Sequence, residues 1–267
     1  MANASSLALA PVIDAKPEIR RLAVSDLSAS LRQGWADFMA IPTQIAFLGV
    51  IYPVVGLLAA RAADGGQVLP LFFPLVAGMA LVGPVLAVGL YELSRRREAG
   101  LTVSWRNAFD VFRSPALPAI AALGVMLMVL FCLWIASARL IYMATIGETP
   151  LDMAPGSLTE FVQLIRGSPH TTALVLLGNA VGAVFAAVVL TVSAVSFPML
   201  LDRHVGPALA VDTSIRVARK NPLVMALWGL TVATILVLGS IPLFVGLAVA
   251  MPVLGHATWH LYRRAVN

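Results

Sequence analysis

The chain is poor in charge. Only 12% of its 267 residues are Asp, Glu, Lys or Arg, whereas 60% are hydrophobic; soluble domains hold about 25% and about 45–50%. So little polar surface cannot cover a globule in water, which excludes an ordinary soluble domain. Cysteine is nearly missing. Cys132 stands alone, which excludes an internal disulfide and a thiolate metal cluster, and its place in an apolar run makes it a small buried hydrophobe. Alternation of apolar and polar residues is lacking, which excludes a transmembrane β-barrel. The long apolar runs hold no Asp, Glu, Lys or Arg near their centres, where pumps and ion-coupled carriers place such groups. There is no Ser/His/Asp or Cys/His set, no Walker glycine loop and no zinc spacing, so an enzyme is not expected. No basic residue precedes the short apolar patch of the first fifteen residues, so a cleaved signal peptide is not expected.

What is present is a series of apolar runs near Gln44–Ala60, Val68–Tyr91, Ala116–Ala138, Thr172–Leu201, Leu223–Gly239 and Pro242–Leu261. A span needs about 20 apolar residues, and lipid cannot hydrogen-bond bare backbone, so each run must be helix. Gly239-Ser240-Ile241-Pro242 separates the last two; one kinked helix over 223–261 is the alternative. Under the six-span reading, fifteen of the eighteen Lys and Arg residues fall on one side, with Arg61, Arg139 and Arg166 on the other. The positive-inside rule makes the rich side cytoplasmic and places both termini there. Trp35, Trp105, Tyr91, Trp228, Trp259 and Tyr262 lie near cytoplasmic span ends, as an interfacial belt requires. The net charge of +5 suits anionic lipid headgroups on the cytoplasmic side rather than nucleic acid.

One unit recurs three times. Pro42, Pro115 and Pro222 each open a span, and Pro84-Val85-Leu86, Pro198-Met199-Leu200 and Pro252-Val253-Leu254 each kink the next. Before each opening proline lies an amphipathic stretch: Leu27, Leu31, Trp35 and Phe38; Trp105, Phe109 and Phe112; Val211, Ile215 and Ala218. Each suits a membrane-surface anchor, with partner docking as the alternative. The expected fold class is therefore all-α: a polytopic membrane protein of about six transmembrane helices in three hairpin repeats, each preceded by a cytoplasmic amphipathic helix. Residues 1–23 read as a mobile N-terminal tail and 24–267 as a single six-helix domain, with repeat units near 24–98, 99–205 and 206–267. In the outer loop Ser157-Leu158-Thr159-Glu160 forms a capping box for a short helix that stops at Gly167.

Few residues carry chemistry. Asn179 sits among Gly178, Ala180 and Gly182, small residues that let helices approach, and an interhelical hydrogen bond is its expected role. A solute pathway would need Asn179, Thr191, Ser193 and Ser196 around one cavity. His256 and His260, four apart, stack on one helix face and could hold a metal or haem; no third ligand is identifiable, and histidines at a helix C-terminus also suit the dipole. Glu92 can pair with Arg95 or Arg96 at one-turn spacing as a surface pair, and Asp202 with Arg203 as an interface pair.

Gly83-Pro84 through Tyr91-Glu92-Leu93-Ser94-Arg95-Arg96, then Asn221-Pro222-Leu223 with Ala226-Leu227-Trp228-Gly229, then Pro252 through His256, Trp259, His260 and Arg263, together resemble a family of predicted bacterial integral membrane proteins of unknown function, over about Ala23 to Ala265. Its members are sometimes labelled cytochrome c oxidase subunit I-like. The resemblance implies a bacterial inner membrane and brings no catalytic residues or cofactor. The functional expectation is a non-catalytic accessory or scaffold subunit whose partners are the lipid bilayer and other membrane proteins. The alternatives are a transporter or channel for a neutral or lipid-like solute, and a metal or haem protein.

Overall fold

The computed structural model describes residues 17–41, 83–147, 155–203, 205–242 and 244–267, with Val54, Leu71, Pro74 and Leu75. The expected first span apart from Val54, much of the second, Pro42 and His204 lie outside the described residues. The described elements are helical: α1 (Val24–Ala40), α2 (Val88–Glu98), a 3-10 segment (Trp105–Arg113), α3 (Leu117–Thr145), α4 (Leu158–Gly167), α5 (Thr171–Ser193), α6 (Ser196–Arg203), α7 (Pro207–Lys220), α8 (Pro222–Ser240) and α9 (Leu247–Ala265).

Among the described residues, three stretches are long and apolar enough to cross a membrane: Leu117–Thr145, Thr171–Arg203 and Pro222–Ser240. Their outward faces are apolar, with Met128 and Leu133 on α3, Leu176 and Val184 on α5, and Leu230 and Val237 on α8 all exposed. Such faces are what lipid covers. Cys132 belongs to this surface and is exposed, so its expected burial is corrected: the apolar run around it faces outward, and an exposed thiol within apolar surroundings needs no protein cover. Where α3 and α5 meet, Trp134 fills the space left by Gly182: a methyl there would stand 3.1 Å from the indole ring. Phe185 packs edge-on at 5.8 Å.

The segment 223–261 is two helices. A turn joins α8 to α9 through Phe244, whose φ is +65°. The two chains close on each other at Gly239 and Gly246, where a methyl on Gly246 would lie 2.7 Å from the Gly239 carbonyl oxygen. At Gly246 only glycine fits so close a backbone approach; a methyl on Gly239 would instead meet the Leu247 side chain at 3.1 Å.

The amphipathic stretches diverge. α1 packs most extensively on α9 and buries Asp26, Leu27, Ser30, Gly34, Asp37 and Phe38. A methyl on Gly34 would lie 2.6 Å from Ala257 N and 2.7 Å from Val253 O. The expected headgroup-plane anchor is thus corrected for α1: four of these six inward residues are polar or small, and it docks on protein. The second stretch is a 3-10 segment rather than an α-helix. Residues three apart eclipse in that geometry, so Ala108 and Val111 turn inward while Phe109 and Phe112 turn out and stack at 6.4 Å. The third, α7, buries Ala210, Thr213, Ser214 and Val217.

The expected mobile tail is corrected for residues 17–23 only; residues 1–16 lie outside the described residues. From Pro17 onward the chain is a pinned strap. Ile19 bridges Val266, Arg20 N donates to Ala265 O at 2.9 Å, and Asn267 N donates to Glu18 O at 3.1 Å. Asn221 holds the strap from the other side: its Oδ1 accepts from Leu22 N at 2.7 Å and its Nδ2 donates to Arg20 O at 3.2 Å.

Candidate functional site

The polar chemistry collects where α1, α2 and α9 meet. α1 contributes Asp37, one turn beyond the Gly34 contact that brings its backbone against α9. α2 contributes Ser94 and Arg97, three apart and therefore on one face. α9 contributes His256 and His260, four apart. Asp37 Oδ2 accepts from Ser94 Oγ at 2.6 Å, His260 Nε2 lies 2.8 Å from the same oxygen, and Arg97 donates to Oδ1. Burial pushes the Asp37 carboxyl up. The hydrogen bonds from His260 and Ser94, then the nearby His260 and His256 rings, outweigh that and hold it below its ordinary value.

Ser94 has one hydroxyl hydrogen, directed at the carboxylate. Its 2.8 Å contact with His256 Nδ1 therefore has Nδ1–H of the neutral ring donating to the serine oxygen. His256 Nε2 is left as a lone pair, fully buried and without a hydrogen-bond partner among the described residues. Ser94 is itself 0% exposed, so its hydroxyl cannot reach a substrate as a nucleophile. The arrangement is a crosslink: one carboxylate takes donors from two other helices, and a serine extends it to a second imidazole. In the expected metal pair one nitrogen of each ring is directed elsewhere, His260 Nε2 to Asp37 and His256 Nδ1 to Ser94. Among the described residues no group of three or more His, Cys, Asp or Glu is placed to hold a metal ion.

A second network lies beside it. Glu98 accepts from Trp259 Nε1 at 2.8 Å and from Arg263 Nε at 3.0 Å. Asp202 accepts from Tyr262 Oη at 2.6 Å and from Arg263 at 3.1 Å. The expected Asp202–Arg203 pair is the weakest of these, at 3.9 Å. Glu92 is gripped by Arg95 at 2.8 Å and Arg96 at 2.6 Å. It is 4% exposed, which corrects the surface reading: burial makes it a held carboxylate. The aromatic belt is corrected too. Trp35 and Trp105 are exposed, but Tyr91, Trp228, Trp259 and Tyr262 are core; for Trp259 and Tyr262 the polar atoms that would seek headgroups find Glu98 and Asp202 instead.

The four candidate pathway residues do not share a cavity. Asn179 is exposed and donates to Val175 O within its own helix, so the expected interhelical bond is not made among the described residues. Ser193 and Ser196 are buried and bonded to Val189 O and Val192 O. Thr191 uses its carbonyl to accept from Ser214. Asn179 and Ser193 lie about 21 Å apart along α5 at 1.5 Å per residue.

Sequence reasoning passed over Asp37, Ser94, Arg97 and Glu98. For Asp37 a signal existed: Asp26, Ser30, Gly34 and Asp37 recur at helical spacing as a small, polar face. Residues 72–202, just under half of the chain, match the model of a family described as "Predicted integral membrane protein (DUF2189)". The chain is an integral membrane protein resembling a family of unknown function. The match takes in the Gly83–Arg96 stretch; the Asn221 and His256 stretches lie beyond it. No curated protein and no solved structure matches.

Proposed function

We propose that the chain is a non-catalytic, multi-pass scaffold or accessory subunit of a membrane complex in a bacterial inner membrane. The observation that carries this is where the chemistry goes. The carboxylates, imidazoles and guanidiniums around α9 are consumed by one another at one end of the bundle, while the three candidate spans present apolar faces outward. That division suits a body whose work is packing. Six spans with both termini in the cytoplasm remain the topology we propose. The Ile19–Val266 bridge supports it, because two residues in hydrogen-bonding register lie on one side of the bilayer and an even number of crossings must separate them.

The test is extraction of the tagged full-length chain from its own membranes in mild detergent, followed by native mass spectrometry. A stoichiometric second polypeptide is expected. A homogeneous particle of this chain alone overturns the accessory reading. A second reading is favoured by one observation, the bare buried His256 Nε2: an imidazole oriented through its other nitrogen is how metal-bound histidines are held. Bound metal or a visible haem band lost in His256→Ala would establish it; a colourless, metal-free sample sets it aside.

A further inference from the structure

One amphipathic stretch keeps its aromatic face uncovered. Trp105, Phe109 and Phe112 are 44%, 57% and 68% exposed. The rings form a continuous row, Trp105 edge-on to Phe109 at 6.2 Å and Phe109 stacked on Phe112. Left in water they keep apolar surface exposed that burial would stabilise. The charge around them has one sign. Asp110 is neutralised by Arg96 at 2.8 Å and bonded by Asn107. Arg106 lies over the Trp105 ring at 5.7 Å, and Arg106 and Arg113 are exposed with no carboxylate partner among the described residues. The position fixes the depth. Arg113 stands four residues before Leu117, where the candidate span of α3 begins, so the segment lies level with the headgroups of the leaflet that α3 enters.

We propose that Trp105–Arg113 is a lipid-binding wedge. Phe109, Phe112 and Trp105 enter the acyl boundary of an anionic leaflet, and Arg106 and Arg113 hold lipid phosphates. Aromatic rings with flanking arginines suit this boundary. α1 differs in that its Leu27 and Phe38 are buried on protein, which leaves Val24, Trp35 and Met39 as its large exposed apolar residues rather than a row of stacked rings.

The test uses the full chain in vesicles, with a nitroxide at Phe112→Cys in a Cys132→Ser background. The native Cys132, exposed near the middle of α3, supplies the bilayer-interior standard. Collisions with oxygen and with a water-soluble nickel chelate report depth. In phosphatidylethanolamine–phosphatidylglycerol vesicles the Phe112 label is expected to favour oxygen several-fold over a label in water, and less than the Cys132 label does. The preference should fall in phosphatidylcholine. In the Arg106→Gln/Arg113→Gln double variant it should no longer depend on lipid charge. Nickel collisions at the aqueous rate in both lipids overturn the proposal and make the face a docking surface for a soluble protein. Equal depth in both lipids, unmoved by the arginine changes, overturns the anionic recognition. A label at Phe109→Cys must agree, which separates depth from damage at one site.

Discussion

Asp37 joins α1 to two helices through one side chain. Removing it takes the acceptor from the buried Ser94 hydroxyl and the part-buried His260 ring, while Arg97, 40% exposed, turns to water; a buried donor left without its acceptor costs about 1–3 kcal/mol. Asp37→Ala is therefore expected to lower the thermal midpoint in detergent, read by circular dichroism, well beyond Asp37→Asn, which keeps an acceptor for Ser94. The acid response follows from the lowered carboxyl. A group held below its ordinary value of 3.8 contributes stability that is present above that pH and lost as pH falls through its folded value. The wild-type midpoint should drop as pH is taken below about 4, and the drop should shrink in Asp37→Asn. An unchanged slope in that variant would place the acid sensitivity elsewhere.

At the scale of elements, the decisive contact is backbone against backbone. Gly34 has no room for a methyl, since Ala257 N and Val253 O would lie within 2.7 Å, and neither atom belongs to a side chain that can swing away. Gly34→Val should lift α1 from α9 and raise the rate of proteolysis within Val24–Ala40, while Gly178→Ala, with nothing within 4 Å, should leave digestion unchanged. Equal rates for both would mean that the contact does not hold α1. The same helix shows what a sequence can disclose. α3, α5 and α8 were legible because length and apolarity alone define them, and Ser157 and Glu160 marked the start of α4, where Glu160 N donates to Ser157 Oγ at 3.2 Å. α1 was legible as a helix and misread as to its inward face. Leu27 and Phe38 do point in, but so do Asp26, Ser30 and Asp37, whose burial makes sense only beside partners far off in the chain. His256 and His260 stood out by their spacing. Their partner Asp37 precedes His260 by 223 residues, a separation across which no local pattern carries information.

For the whole molecule, the strap at Ile19 and the end of α9 lie side by side, and both should be reached from the cytoplasm. Epitopes fused ahead of residue 17 and after Asn267 are expected to be digested together in inverted membrane vesicles and protected together in intact spheroplasts; opposite behaviour of the two would contradict the bridge. The pairing of α1 with α9 also has a consequence in time. A chain is made from its first residue to its last, and α1 leaves the ribosome more than two hundred residues ahead of the helix that covers it. Through that interval Asp37 and the Gly34 face stay open to water, which their polarity tolerates where a greasy face would not. The joint closes only once α9 has been made, so a chain truncated before α9, or misinserted, keeps α1 exposed and is distinguishable, by a protease or chaperone, from one in which the two helices have met.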